Sequence, residues 1–204
     1  MNAPATTRKG YLFIVSGPSG VGKTVLCNAI VSKFAPDVVY SISTTSRAPR
    51  GGETNGQEYF FCTAEEFEKD IGRNEFAEWA FVHGNYYGTP RRFVTDNLDA
   101  GKHVILNIDV QGAMKIREAY PESIMIFILP PTFDALESRI RKRNMDSEHS
   151  LRHRLENARK ELDYREHYKY TVINDNLDAA INELTDIFTG YVQRRQVEQP
   201  ALAK

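Results

Sequence analysis

Residues 17–24 read Gly-Pro-Ser-Gly-Val-Gly-Lys-Thr, a full match to GxxxxGK[ST]. This pattern works only where a strand runs into a helix, because backbone N–H groups and the helix N-terminus must converge on one anion. The flanks fit: the apolar run 11–16 (YLFIVS) precedes it, and Leu26, Ala29, Ile30 and Phe34 follow at helical spacing. In such a loop Gly17, Pro18, Ser19, Gly20, Val21 and Gly22 wrap phosphate oxygens. Lys23 places a cation on the β- and γ-phosphates, and the Thr24 hydroxyl ligates Mg²⁺. Binding of ATP or GTP follows.

The remaining chain repeats the strand-then-helix rhythm. Runs 103–108 and 124–129 are apolar on both faces, as strands of a covered parallel sheet must be, and each precedes a helical pattern. A shorter strand, 171–174, precedes a helix from about Leu177 to Arg194. The fold class is therefore α/β, a doubly wound parallel sheet around the phosphate loop. Two segments break the rhythm. Between Val38 and Thr89 lie a Gly/Pro/Arg-rich stretch, two aromatic strand-like pieces around Trp79 and Tyr86, and a capping box of Thr63 with Glu66 that starts a helix ending near Gly72. Thr89-Pro90 reads as an N-cap followed by proline at the first helical position. The second break is the basic span 139–154, a helical lid. The divisions are core at 1–37, a mixed α+β insertion at 38–96, core at 97–138, lid at 139–156, core at 157–196 and a disordered tail at 197–204.

Composition excludes several classes. With 204 residues, 41% of them hydrophobic, one continuous core forms without disulfides or metal. Cys27 and Cys62 have neither CxxC spacing nor a nearby His pair, so both are expected as reduced thiols of a cytoplasmic protein. No apolar run approaches the ~20 residues needed to cross a bilayer, and the N-terminus lacks a signal-peptide stretch. A net charge of −1 argues against a general nucleic-acid binder. The state is monomer or homo-oligomer. The five histidines show no ligand spacing and are expected at the surface. Asp109, at the end of a buried strand, either faces the phosphate site or merely caps the next helix.

The blocks GPSGVGKT, SISTTSRAPRGGETNGQEYFF, NEFAEWAFVHGNYYGT, VILNIDVQGA and RHRLENARKEL, in this order and spacing, resemble the guanylate kinase family from about Tyr11 to Tyr191. The resemblance implies Mg²⁺-dependent transfer of the ATP γ-phosphoryl to GMP, and to dGMP. It implies that 38–96 binds GMP, with Arg47, Arg50, Tyr59 and Tyr87 on the acceptor phosphate and Ser43, Glu78, Thr89 and Asp109 around guanine. The chemistry agrees: guanidiniums and phenols form a donor-rich cradle for an oxyanion, and a carboxylate accepts from the adjacent guanine N1–H and N2–H. Each has a plainer reading, the arginines as solvated loop charges, the tyrosines as packing and Glu78 as an exposed strand residue. The resemblance further implies Arg139, Arg143 and Arg154 as lid arginines, catalytic with Lys23 and Arg47, and Thr24 as the metal ligand with Asp109 acting through water. Four residues depart from the family pattern. Val25 replaces a hydroxyl, Asn107 an acid, Ser46 a threonine and Asn144 a glycine. A binding module without turnover, or a kinase for another acceptor, are the rival readings.

Overall fold

The computed structural model describes residues 9–82, 84–143 and 148–198, by backbone alone at 143, 148–150 and 194–198. Five strands, β1 (Leu12–Ser16), β2 (Val38–Tyr40), β7 (His103–Asn107), β8 (Ile124–Leu129) and β9 (Tyr170–Ile173), form a sheet of order β2-β7-β1-β8-β9. Every pairing in it is parallel. The central strand explains why sequence 11–16 shows no alternation: Phe13 and Val15 face one core while Leu12 and Ile14 face the other. On the first face Phe13 stacks on Phe188 of α7 (Leu177–Glu198), ring centroids 3.9 Å apart, with Leu26 and Ile30 of α1 (Lys23–Lys33) beside them. On the second, Val94 and Leu98 of α3 (Arg91–Asp99) pack with Ala113 and Ile116 of α4 (Val110–Ala119).

The smaller sheet has order β4-β3-β6-β5, from β3 (Thr44–Thr45), β4 (Phe60–Phe61), β5 (Phe76–Val82) and β6 (Asn85–Pro90). It is mixed, β3 running parallel to β4 and antiparallel to β6, which also pairs antiparallel with β5. The helix α2 (Ala64–Gly72) covers it, and Phe67 stacks on Phe76 at 4.3 Å. Gly88 of β6 lies under both rings, where a Cβ would come within 2.8 Å of each. The capping box forms as expected, Glu66 N–H donating to Thr63 Oγ1 and Thr63 N–H to the Glu66 carboxylate.

Several expectations shift. Residues 38–40 are not part of the insertion: β2 pairs with β7 in the main sheet, and the second sheet begins only at Thr44. Residues 91–96 likewise join the main core through α3. Thr89 is not an N-cap; it belongs to β6, the helix starts at Arg91, and the position before it is Pro90 with no side-chain cap. Thr89 Oγ1 instead donates to Glu78 across the hairpin, which is a buried site and a stronger demand than an exposed helix end. Among the described residues the lid span takes in the end of α5 (Phe133–Arg143) and the start of α6 (Glu148–Leu162), yet Ile140 and Leu151 are buried in the first core. Of the expected tail at 197–204, residues 197 and 198 belong to α7, which continues to Glu198, and the rest lie outside the described residues. His103 is buried, not superficial: its Nδ1 accepts from Tyr11 N–H at 3.0 Å and its ring stacks on Tyr11. His83 lies outside the described residues.

Candidate active site

The loop between β1 and α1 is held from three sides. Ser16 Oγ donates to the Ile108 carbonyl at 2.8 Å. Gly17, at φ 141°, lies so close to the Ile128 carbonyl that no side chain would fit. From the end of β9, Asn174 Nδ2 donates to the Val21 carbonyl at 2.7 Å. Lys23 Nζ curls back to the carbonyls of Gly17 (2.6 Å) and Pro18 (3.1 Å). The Thr24 hydroxyl accepts from Asn107 Nδ2 at 3.1 Å, and the same amide donates to the Tyr40 phenol at 3.0 Å. Thr24, Asn107 and Asp109 all line one cavity, Thr24 from the start of α1 and the other two from the end of β7 and the turn into α4.

That cavity, about 870 Å³, extends from the loop to the second sheet. Its far side carries Ser43, Arg47, Arg50, Tyr59, Glu78 and Tyr87. Arg47 meets Glu53 in a bidentate pair, both N–O distances 2.9 Å, and also donates to the Ala48 carbonyl at 2.7 Å. Glu53 Oε2 additionally accepts from Arg50 N–H at 2.7 Å. Arg47 sits 5.4 Å from the Tyr59 ring centroid, and the Tyr59 and Tyr87 rings are 5.9 Å apart edge to face. Burial works against the Arg47 charge, but Glu53 and Tyr87 outweigh it and its pKa rises; the bond from Arg47 lowers that of Glu53.

Glu78 is buried, only 7% exposed, and accepts from Thr89 Oγ1 at 2.7 Å. Burial pushes its carboxyl up to about 7, against the Thr89 bond and with a contribution from the nearby Asp109 charge. Lys115 lies over Trp79, donates to the Trp79 carbonyl and partly offsets the rise. Asp109 does both things left open above. Its Oδ1 caps α4 by accepting from Gln111 N–H (2.8 Å) and Gly112 N–H (3.2 Å), and it lines the cavity.

Of the lid arginines, Arg154 lines the cavity and its Nη2 donates to Ser19 Oγ at 3.3 Å. Arg139 does not line it; its Nη1 donates to the Asn174 carbonyl at 2.8 Å, bracing the residue that anchors Val21. The Arg143 side chain and Asn144 lie outside the described residues. Val25 is 46% exposed and lines the cavity, while Ser46 Oγ accepts from Tyr86 N–H at 2.9 Å, a role threonine would share.

A guanylate kinase family model matches residues 9–191, the span that builds every wall of this cavity. The chain belongs to the guanylate kinase family. Guanylate kinases similar to it include that of Caldanaerobacter subterraneus subsp. tengcongensis, 46% identical over 180 residues, covering 88% of this chain and 87% of the relative. That of Carboxydothermus hydrogenoformans is 45% identical over 181 residues, covering 89% and 88%. Among solved structures, the guanylate kinase from Anaplasma phagocytophilum superposes with a TM-score of 0.74 at 32% identity, covering 95% of this chain and 89% of that one.

Sequence reasoning missed four residues in and behind the cavity: Glu53 and Glu161, which line it, and Lys115 and Asn174, which brace Trp79 and Val21. Glu53 carried a faint signal, an acid three residues past Arg50 in a turn-rich stretch. Asn174 and Glu161 carried none, because their partners, Val21 and Ser19, are 153 and 142 residues away.

Proposed function

We propose that this cavity joins ATP on the phosphate loop to GMP on the second sheet and transfers the γ-phosphoryl between them. The chain is a nucleoside monophosphate kinase, an ATP:GMP phosphotransferase. One observation supports the substrate assignment above others: a buried carboxyl, Glu78, and an arginine–tyrosine cradle share a single cavity with the Lys23 loop. The acceptor phosphate supplies its own nucleophilic oxygen, so no activated side chain is required. Catalysis then rests on in-line positioning and on cations around the moving group. Arg50, Tyr59 and Tyr87 hold the acceptor phosphate beside Arg47, and Glu78 accepts from guanine N1–H and N2–H. Adenine places an acceptor at N1, which would leave that carboxylate unpaired in a buried site. Ser43 and Asp109 complete the base pocket, and Thr89, buried behind it, acts through its bond to Glu78. Lys23 and Arg154 face the donor phosphates, with Arg139 one step removed and Arg143 from the lid.

The donor set near Thr24 suits Mg²⁺: a hydroxyl, the Asp109 carboxylate and the Asn107 carboxamide are hard oxygen groups. Among the described residues no group of three His, Cys, Asp or Glu would hold a metal unaided, which fits an ion carried by phosphate oxygens. Bound there, Mg²⁺ neutralises charge on the β- and γ-phosphates. No helix among the described residues is long and apolar enough to cross a membrane, and both cysteines are free; we read the setting as cytoplasmic. The test is an acceptor panel with ATP and Mg²⁺. GMP and dGMP should be phosphorylated, AMP and sugar phosphates left unchanged. Equal use of AMP would reject the role of Glu78.

A further inference from the structure

Glu161 has no part in the chemistry proposed above, yet it reaches into the same cavity. It lies on α6 two helical turns after Arg154, on the same face, and the two side chains grip one residue of the phosphate loop. Ser19 Oγ accepts from Arg154 Nη2, and Ser19 N–H donates to Glu161 Oε2 at 3.2 Å. The charged groups around the Glu161 carboxylate are Lys23 from α1, Asp109 at the start of α4 and Arg154 on its own helix. It is largely withdrawn from water, and burial raises its carboxyl above the usual range, with Lys23 and the Ser19 amide opposing that rise.

A loop of this type exists to present backbone N–H groups and a lysine to an anion. Here a carboxylate of the chain already takes one of those N–H groups and part of the Lys23 field. Bringing phosphate oxygens into the loop places them beside this fixed negative charge, and like charges in a partly desolvated cavity repel strongly. We infer that Glu161 is an affinity-determining residue of the donor-nucleotide site, an internal anion that any incoming phosphate must displace or oppose. The penalty falls on every anion that enters the loop. A di- or triphosphate, with several loop contacts, overcomes it, whereas a lone phosphate does not.

This inference rests on the donor reading of the phosphate loop, and one titration series separates the two. ADP, inorganic phosphate and GMP are titrated calorimetrically into wild type, Glu161→Gln and Glu161→Ala. Glutamine keeps an acceptor for Ser19 N–H and removes the charge; alanine removes both and serves if the glutamine variant does not fold. Both variants should bind ADP about tenfold more tightly, and inorganic phosphate more tightly in like proportion, with GMP affinity unchanged. ADP binding that stays the same or weakens overturns the inference and makes Glu161 a prop for the loop. Tightening of GMP to the same degree as ADP also overturns it, since the effect would then not be confined to the donor side. Absence of ADP binding by wild type instead rejects the donor reading itself.

Discussion

Glu78 carries two demands that conflict. A buried carboxyl at about 7 binds its proton more tightly in the folded chain than in the unfolded one, where the value is 4.5. Its contribution to stability is full below 4.5 and is lost as pH rises through about 7. The difference amounts to roughly 3 kcal/mol at most. Glu78→Gln, which can still accept from Thr89, should therefore be the more stable protein at pH 8 by about 1–3 kcal/mol, the gap closing near pH 4.5. Denaturant unfolding at the two pH values checks this, and GMP binding should fall even as stability rises. Asn107 poses a different question. Its amide donates to Thr24 and to Tyr40, which an aspartate could not do. Asn107→Asp reverses both bonds and puts a second negative charge beside Asp109, a repulsion that a bound divalent ion relieves. The Mg²⁺ concentration for half-maximal rate should drop, with GMP affinity little changed; superimposable Mg²⁺ curves would make Asn107 a strand-end brace.

Secondary-structure elements were legible in proportion to how local their determinants are. The Thr63–Glu66 capping box spans three residues, so its pattern is present in the sequence and recurs in α2. Thr63→Ala should cost about 1 kcal/mol, read as a lower midpoint in thermal or denaturant unfolding. The apolar strands, buried on both faces, were equally plain, as was the loop at 17–24. Thr89 misled because Ser/Thr followed by Pro is a good helix start, while its actual partner, Glu78, is eleven residues away across a hairpin whose register the sequence does not spell out. The boundary at Val38 failed similarly: a three-residue strand shows no period, and only pairing with β7 assigns it to the main sheet. The plainer reading made Arg47 a solvated loop charge, but the loop between β3 and β4 folds Glu53 onto it. The end of β9 matters more than its length implies. Asn174→Ala leaves the buried Val21 carbonyl unpaired, which should cost about 1–3 kcal/mol and weaken ADP binding by loosening the loop. Calorimetry with ADP and a chemical unfolding curve measure both.

For the whole molecule, the two substrate cradles lie on opposite walls of an 870 Å³ cavity, one on each sheet, and in-line transfer needs the reacting atoms about 3–3.5 Å apart. The second sheet and α6 should move inward when both sides are filled. X-ray scattering with a non-hydrolysable ATP analogue and GMP together should show a smaller radius of gyration than either alone; an unchanged radius would mean that the cavity is already in its working form. The strand order has a temporal consequence. β1, which delivers the phosphate loop, is flanked by β7 and β8, and the loop is tied down by Asn174. A ribosome making roughly 5–20 residues per second finishes residue 24 about 8–30 s before residue 174. Through that interval the nascent chain carries the whole nucleotide-binding motif without the partners that give it shape. The earliest-made part of the catalytic apparatus is thus among the last to become competent, and ATP in the surrounding cell meets a finished site only when the final strand has docked.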